Sequence, residues 1–301
     1  MFSIKKYAAI DIGSNAVRLL IANIIEEKGK EPRFKKSSLV RVPIRLGSDV
    51  FLKQKISKEN SKRLLDTMLA FKLLMQSHKV EKYKACATSA MREAKNGKKV
   101  TELILDKTQI QIDTINGEEE AAIIAATDLH AYIDNNKTYL YVDVGGGSTE
   151  FTVINKGDSI SSKSFKIGTV RLLNDIVKKE TWFELEQWIK QNTAAYEKID
   201  LIGSGGNINK IFKISGKSIG KPLTYFYLTS YYNTLQSYSY KERITELDLN
   251  QDRADVIIPA TRIYLSAMKW SGAKDIYVPK IGLADGIIKS IYYDTVSSNS
   301  Q

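Results

Sequence analysis

The 301-residue sequence has a single cysteine, Cys86, and only two histidines, His78 and His130. One thiol excludes an internal disulfide framework and any multi-cysteine metal site, and it suits a reducing compartment. Two histidines leave little room for histidine-rich metal chemistry. Long apolar runs are also missing: the N-terminal stretch to Asn23 is cut by Asp11, Asn15 and Arg18, well short of the ~20 residues of a membrane span. The sequence therefore reads as cytosolic. What is present, 43% hydrophobic and 26% charged residues, is ordinary globular composition, and the length is enough for two domains.

Acidic residues are in deficit, 34 against 45 Lys and Arg, for a formal charge of +11. The excess is uneven: residues 1–125 hold 24 basic and 15 acidic side chains, the remainder 21 and 19. A basic surface predicts an anionic partner such as nucleic acid, polyphosphate, phosphorylated ligands or an acidic membrane surface, with Lys30 to Arg45 as a candidate track on the first lobe; a merely solvated surface explains the same counts equally well. No helix-turn-helix, zinc or RNA-recognition motif accompanies the charge, so nucleic acid is not expected.

The order of elements repeats. The run Tyr7 to Ile12 ends in Asp11-Ile-Gly-Ser-Asn15 and is followed by the apolar run Val17 to Ile25, a strand, turn and strand. The run Tyr139 to Val144 leads likewise into Asp143-Val-Gly-Gly-Gly-Ser-Thr149 and the apolar run Phe151 to Ile154. After the first hairpin we read a strand (34–44), a helix (58–76), a strand (83–88), a helix interrupted at Asn96-Gly97 and a strand (110–115). After the second we read a strand (159–167), helices (168–178 and 182–196), a strand (199–203), helices to about Trp270 and a strand (275–279). Each half is βββαβαβ. The expected domains are 1–125 and 126–301, with a helical insertion over about 205–270 and a last helix, about 283–301, that packs back on the first lobe. The tyrosines at 225, 227, 231, 232, 238 and 240 fit a core stripe at helical spacing.

Gly13 and Gly145, Gly146 and Gly147 allow backbone N–H groups to approach an oxyanion closely, and Asp11 and Asp143 at the strand ends could hold a hard cation directly or through water. For one loop alone, a turn with a locally bonded Asp is the simpler account; two copies on a duplicated architecture favour two phosphate cradles facing each other across a cleft. Gly203-Ser204-Gly205-Gly206-Asn207 ends a predicted strand and opens a helix, as either a phosphate or nucleotide site or a close-packed turn. Thr88, Ser89 and Arg92 offer hydroxyls and a planar guanidinium, although spacing alone fits an Arg paired with a neighbouring acid. Asn116 and Glu119 form a predicted capping box. Glu118, Glu119 and Glu120 are all favoured there by the helix dipole, and composition does not choose among them.

Six ordered segments, Asp11–Asn15, Ala87–Ala94, Gly117–Ala121, Asp143–Glu150, Gly168–Arg171 and Arg253–Ile257, together resemble the exopolyphosphatase and guanosine pentaphosphate phosphohydrolase family, over about residues 7 to 290. The resemblance implies an α/β fold of two ribonuclease H-like lobes, as in the actin, sugar kinase and Hsp70 superfamily, with a central interdomain cleft. It implies that Glu120 is the base that activates water, that Asp143 is the magnesium-associated carboxylate, and that Asp11 and Glu150 lie near the metal. Asn15, Arg92, Gly145, Gly146, Gly147 and Ser148 match its phosphate-binding positions, and Gly13, Ser14, Thr88 and Ser89 stand in the same segments. Asn116, Gly206-Asn207 and Ala284-Asp285 depart from the usual Ser, Gly-Thr and Arg-Glu, and the chain ends at Gln301 without the C-terminal helical region of longer members.

The expected function is hydrolysis of the terminal phosphate of inorganic polyphosphate, with Mg²⁺ or another divalent cation. The alternatives are 5′-phosphohydrolysis of guanosine pentaphosphate, an ATP-dependent small-metabolite kinase, and a non-catalytic sensor of polyphosphate or an alarmone. A homodimer is the general expectation for a soluble enzyme.

Overall fold

The computed structural model describes residues 2–125, 127, 134 and 136–298, residue 125 in its backbone only. His130 and the residues just after the expected domain boundary lie outside it. The chain divides into two compact units, Met1–Thr127 with Leu283–Gln301, and Asp128–Gly282.

The first unit runs β1 (Phe2–Ile12), β2 (Val17–Glu27), β3 (Arg33–Val42), α1 (Leu46–Lys53), α2 (Lys58–Ser77), β4 (Lys82–Ala87), α3 (Ser89–Glu93), α4 (Gly97–Thr108), β5 (Ile112–Thr114) and α5 (Gly117–Ala125). Its sheet has the order β3-β2-β1-β4-β5. The first three strands are antiparallel neighbours, and β4 and β5 run parallel to β1. Alternation sorts the side chains. Ala8, Ile10 and Ile12 join Val17, Leu19 and Ile21 in a core with Leu64, Met68 and Phe71 of α2 and Ile104 of α4. Tyr7, Ala9 and Asp11 point to the opposite face.

The second unit runs β6 (Thr138–Val144), β7 (Thr149–Asn155), β8 (Asp158–Phe165), α6 (Thr169–Leu173), α7 (Lys179–Thr193), β9 (Ile199–Ser204), α8 (Gly206–Ile214), β10 (Leu223–Thr224), α9 (Tyr225–Ser237), α10 (Tyr240–Thr245), α11 (Gln251–Ala254), α12 (Ile257–Ser271) and β11 (Asp275–Tyr277). Its sheet order is β10-β11-β9-β6-β7-β8. Apart from the two-residue edge strand β10, it repeats the first sheet strand for strand. Each unit thus carries the ribonuclease H-like topology, around its own apolar core.

The last helix, α13 (Leu283–Ser298), belongs to the first unit. It packs on β1, β2, β4 and α5, covering the sheet face that carries Tyr7, Ala9 and Asp11. Tyr292 Oη donates to Glu26 Oε1 at 2.8 Å, and Lys36 Nζ pairs with Asp285 at 2.8 Å.

Two local readings need correction. The helix expected over 168–178 stops at Leu173, because Asp175 takes a left-handed backbone (φ 52) and Asn174 turns its side-chain amide back to the Val170 carbonyl at 2.7 Å. The tyrosine stripe is core only in part, Tyr227 and Tyr231 packing half-buried against the core of the second unit. Leu228 and Leu235 are the buried residues of α9, while Tyr227 and Tyr231 stack at its half-buried margin and Tyr225 and Tyr240 are exposed.

Candidate functional site

In the first unit, the residues singled out from the sequence meet at the C-terminal ends of β1, β4 and β5. The turn after β1 closes with Gly13 N–H on the Ala16 carbonyl at 3.1 Å, and the Thr88 N–H reaches the Ile12 carbonyl at 3.1 Å. The Ser14 and Ser89 hydroxyls lie 2.9 Å apart and buried, which ties the Asp11–Asn15 turn to the start of α3. Thr88 is buried beside them. Arg92 is half-buried, and its Nη1 donates to the Ile115 carbonyl at 2.6 Å. It is therefore not the surface arginine paired with a neighbouring acid that spacing allowed: it braces the strand end that leads into α5.

The capping box at α5 is formed in both directions. Asn116 N–H donates to Glu119 Oε2 at 2.7 Å, and Glu119 N–H donates to Asn116 Oδ1 at 2.9 Å. Such a cap stabilises a helix by ~1 kcal/mol. It also fixes the rotation of α5, so that Glu118 and Glu119 face solvent and Glu120 is 9% exposed. Glu120 shares the buried stripe with Ala121 and Ile124. That stripe was the available signal, since Glu120 lies four residues before Ile124, one helical turn away.

Asp11 is 4% exposed and accepts from Arg18 Nη1 at 2.8 Å. Asp11, Cys86 and Asp113 occupy one register row across β1, β4 and β5. Burial pushes the Cys86 thiol up to about 12; Lys84 opposes the rise, and the negative charges of Asp113, Asp11 and Glu120 add to it. The acids selected from the sequence therefore share one electrostatic neighbourhood with the lone cysteine, which is held as an inert thiol.

Sequence reasoning overlooked the segment after β3. Arg45 adopts a left-handed backbone (φ 63) at the start of α1; its N–H donates to the Asn15 carbonyl at 3.0 Å, and the Gly47 N–H donates to that of Ser14 at 2.8 Å. The segment thus backs the first glycine turn. The only sequence signal for it was Pro43, which ends β3.

In the second unit, Asp143 and Glu150 are direct cross-strand partners on β6 and β7. Asp143 is half-buried, whereas Glu150 is 2% exposed. Glu150 Oε1 accepts from Ser148 Oγ at 2.7 Å and from Ser164 Oγ at 2.9 Å. The loop between them is held by its backbone. Gly145 N–H bonds the Ser148 carbonyl at 3.0 Å, Thr169 N–H bonds that of Gly145 at 3.0 Å, and Val170 N–H bonds that of Gly146 at 2.9 Å. Gly168 must lack a side chain, because a Cβ there would lie 2.4 Å from the Gly146 carbonyl oxygen. Arg171 Nε closes the loop on the Gly147 carbonyl at 2.7 Å.

The 203–207 cluster lies beside this loop. Gly205 has φ 113, and a Cβ on it would meet the Val144 carbonyl at 2.8 Å and Asp143 Oδ1 at 3.5 Å. Ser204 pairs with Asp143 across β9 and β6, its carbonyl accepts from the buried Tyr264 hydroxyl, and its Oγ donates to the Ile281 carbonyl at 2.9 Å. Gly203 packs against Ile208 and Ile276, which is the close-packed turn. Gly205, Gly206 and Asn207, all half-buried at the start of α8, form the part beside Asp143.

Three residues of the basic track are matched by nearby acids. Lys30 and Arg33 both pair with Glu27, and Lys36 pairs with Asp285. The acid that stands in the Ala284-Asp285 departure is thus the partner of a track lysine. Lysines on β3 also shield the free edge of the sheet.

The chain is similar to several known proteins. The model of the Ppx/GppA phosphatase family matches residues 34–294. A bifunctional 3-dehydroquinate synthase/phosphatase from Fusobacterium nucleatum is 32% identical over 216 residues, 66% of this chain and 32% of that protein. A guanosine-5'-triphosphate,3'-diphosphate pyrophosphatase from Photobacterium profundum is 30% identical over 194 residues, 64% of this chain and 35% of that protein. The chain thus spans about a third of the length of these two relatives. The crystal structure of an exopolyphosphatase from Cytophaga hutchinsonii shares the fold, with a TM-score of 0.82 at 22% identity and 98% of each chain covered.

Proposed function

The chain belongs to the Ppx/GppA phosphatase family, and from that premise we propose that it is an exopolyphosphatase, a phosphoanhydride hydrolase that releases orthophosphate from the end of inorganic polyphosphate. The observation that carries the reading is the burial of Glu120: alone among three successive glutamates it is withdrawn from solvent, on a helix whose rotation is fixed by its cap.

Glu120 takes a proton from water as the water oxygen attacks the terminal phosphorus. The bridging P–O bond breaks, and the chain departs one phosphate shorter with the electron pair. Phosphoryl transfer needs positioning and charge neutralisation more than covalent help. Arg92, the N–H groups of the Gly13–Asn15 turn and of Gly145–Gly147, and the hydroxyls of Ser14, Thr88, Ser89 and Ser148 are suited to those tasks.

The donor set fits a magnesium ion. Asp143 and Glu150 place two carboxylates side by side, and no group of three His, Cys, Asp or Glu residues forms an all-protein cage among the described residues. Mg²⁺ keeps several waters and binds through one or two carboxylates plus substrate phosphates, and bound there it would offset phosphate charge. Asp11 of the first unit is already paired with Arg18.

A second reading, 5′-phosphohydrolysis of guanosine pentaphosphate, is favoured by the position of Gly205, Gly206 and Asn207 beside Asp143, where a nucleoside could be held. Phosphate release from polyphosphate of defined lengths and from the nucleotide, with and without Mg²⁺, tests both. Faster turnover of the nucleotide overturns the first reading, and saturable binding without release makes the protein a sensor. ATP consumption coupled to phosphorylation of a small acceptor would make it a kinase. Among the described residues no helix is long and apolar enough to cross a membrane, and a cytoplasmic site of action belongs to the same proposal.

A further inference from the structure

A close helix crossing in the first unit lies one turn beyond Glu120. Gly286, in the first turn of α13, abuts the backbone of α5: a Cβ placed there would lie 2.2 Å from the Ile123 carbonyl oxygen and 2.8 Å from Ile123 Cγ2. Relieving that overlap requires about an ångström of movement, since non-bonded carbon and oxygen atoms settle beyond ~3 Å. α13 has little freedom to supply it. It lies along β1, β2 and β4, is bonded to Glu26 through Tyr292 and to Lys36 through Asp285, and sets Tyr292 edge-on to Phe34 at 5.5 Å between ring centroids. α5 is the shorter element, nine residues, and is fixed at its start by the Asn116–Glu119 cap.

We infer that Gly286 is a positioning residue for Glu120: its missing side chain sets how closely α5 approaches α13, and thereby where the Glu120 carboxylate stands. The inference rests on the reading of Glu120 as the base. Misplacement of a catalytic group by about an ångström costs up to ~100-fold in rate, while groups that bind substrate from other elements are left in place. The effect should therefore fall on kcat and spare KM.

The test is steady-state hydrolysis of polyphosphate of defined length with Mg²⁺ by Gly286→Ala, Glu120→Gln and, as control, Ser297→Ala at an exposed position of α13, each checked for folding by circular dichroism. We expect Gly286→Ala to lose about 10- to 100-fold in kcat with KM within about twofold, and Ser297→Ala to match the parent. Should Gly286→Ala not fold, Ile123→Ala thins the same crossing without overlap, and a several-fold fall in kcat at constant KM is expected. An inactive Glu120→Gln beside a folded Gly286→Ala, or in its place Ile123→Ala, with parental kcat overturns the inference alone. Parental kcat in Glu120→Gln overturns the base assignment and the inference with it.

Discussion

Asp143 and Glu150 stand directly opposite each other on adjacent antiparallel strands, so two carboxylates project from the same face of one sheet. Like charges at such positions destabilise a strand pair. Two serine hydroxyls hold Glu150 in place, and a cation between the two carboxylates would relieve the repulsion. Mg²⁺ should therefore raise the melting temperature of the substrate-free protein, and Asp143→Asn or Glu150→Gln should reduce that rise by more than half. An equal rise in both variants, read by scanning calorimetry, would place the cation elsewhere.

Glu120→Gln should lower kcat by about 100- to 10,000-fold, the usual worth of a general base, while polyphosphate binding persists in a titration. Near-parental turnover would remove Glu120 from the role.

Replacing Asp285 by Ala should release Lys36 from its ion pair to a bound phosphate chain. KM for long polyphosphate should fall about two- to fivefold at low salt, and the gain should shrink as ionic strength rises. KM for triphosphate should hardly move. Equal effects on both substrates would mean that the lysines near β3 serve the surface and the sheet edge only.

Glu26 is held down to about 2, from 4.5, by hydrogen bonds from Ser3 and Lys5, against a smaller effect of burial, with Tyr292 adding to the lowering. A carboxylate depressed in the folded state contributes stability that is present above its unfolded value and lost as pH falls through its folded one. Glu26→Gln should thus flatten the part of the melting-temperature profile between about pH 4.5 and pH 2, where the parent loses stability. A parallel profile would exclude the Glu26 cluster as a source of acid sensitivity.

Cys86 should resist alkylation at neutral pH in the folded protein and react within minutes after denaturation, because burial keeps it a neutral thiol. Rapid modification of the native protein, followed by mass spectrometry, would contradict the packing of β4 against α13.

The duplicated strand order was legible because each hairpin declares itself twice over, by an apolar run ending in Asp and by a glycine turn. What escaped were features fixed by tertiary partners. α1 follows an arginine in a left-handed conformation, held by Asn15 some thirty residues earlier. α6 ends where Asp175 adopts a backbone that no periodicity reveals. The tyrosines of α9 mimic a core stripe because the ring is apolar and the hydroxyl is not, so the side chain is at home at a half-buried margin. Among the three glutamates, the dipole argument treats all alike, and only the rotation set by the Asn116 cap separates Glu120. The Ala284-Asp285 pair reads in the sequence only as a departure from Arg-Glu, yet the role of Asp285 depends on a lysine 249 residues away in sequence.

The return of α13 to the first unit imposes an order on biosynthesis. Asp128–Gly282 is one continuous stretch and can close on itself as soon as it leaves the ribosome, whereas Met1–Thr127 must wait for Leu283 onward. Until then the sheet face bearing Tyr7, Ala9 and Cys86 lacks its cover, an interval in which chaperones or a neighbouring nascent chain could reach it. The later-made half is thus the first that can be finished.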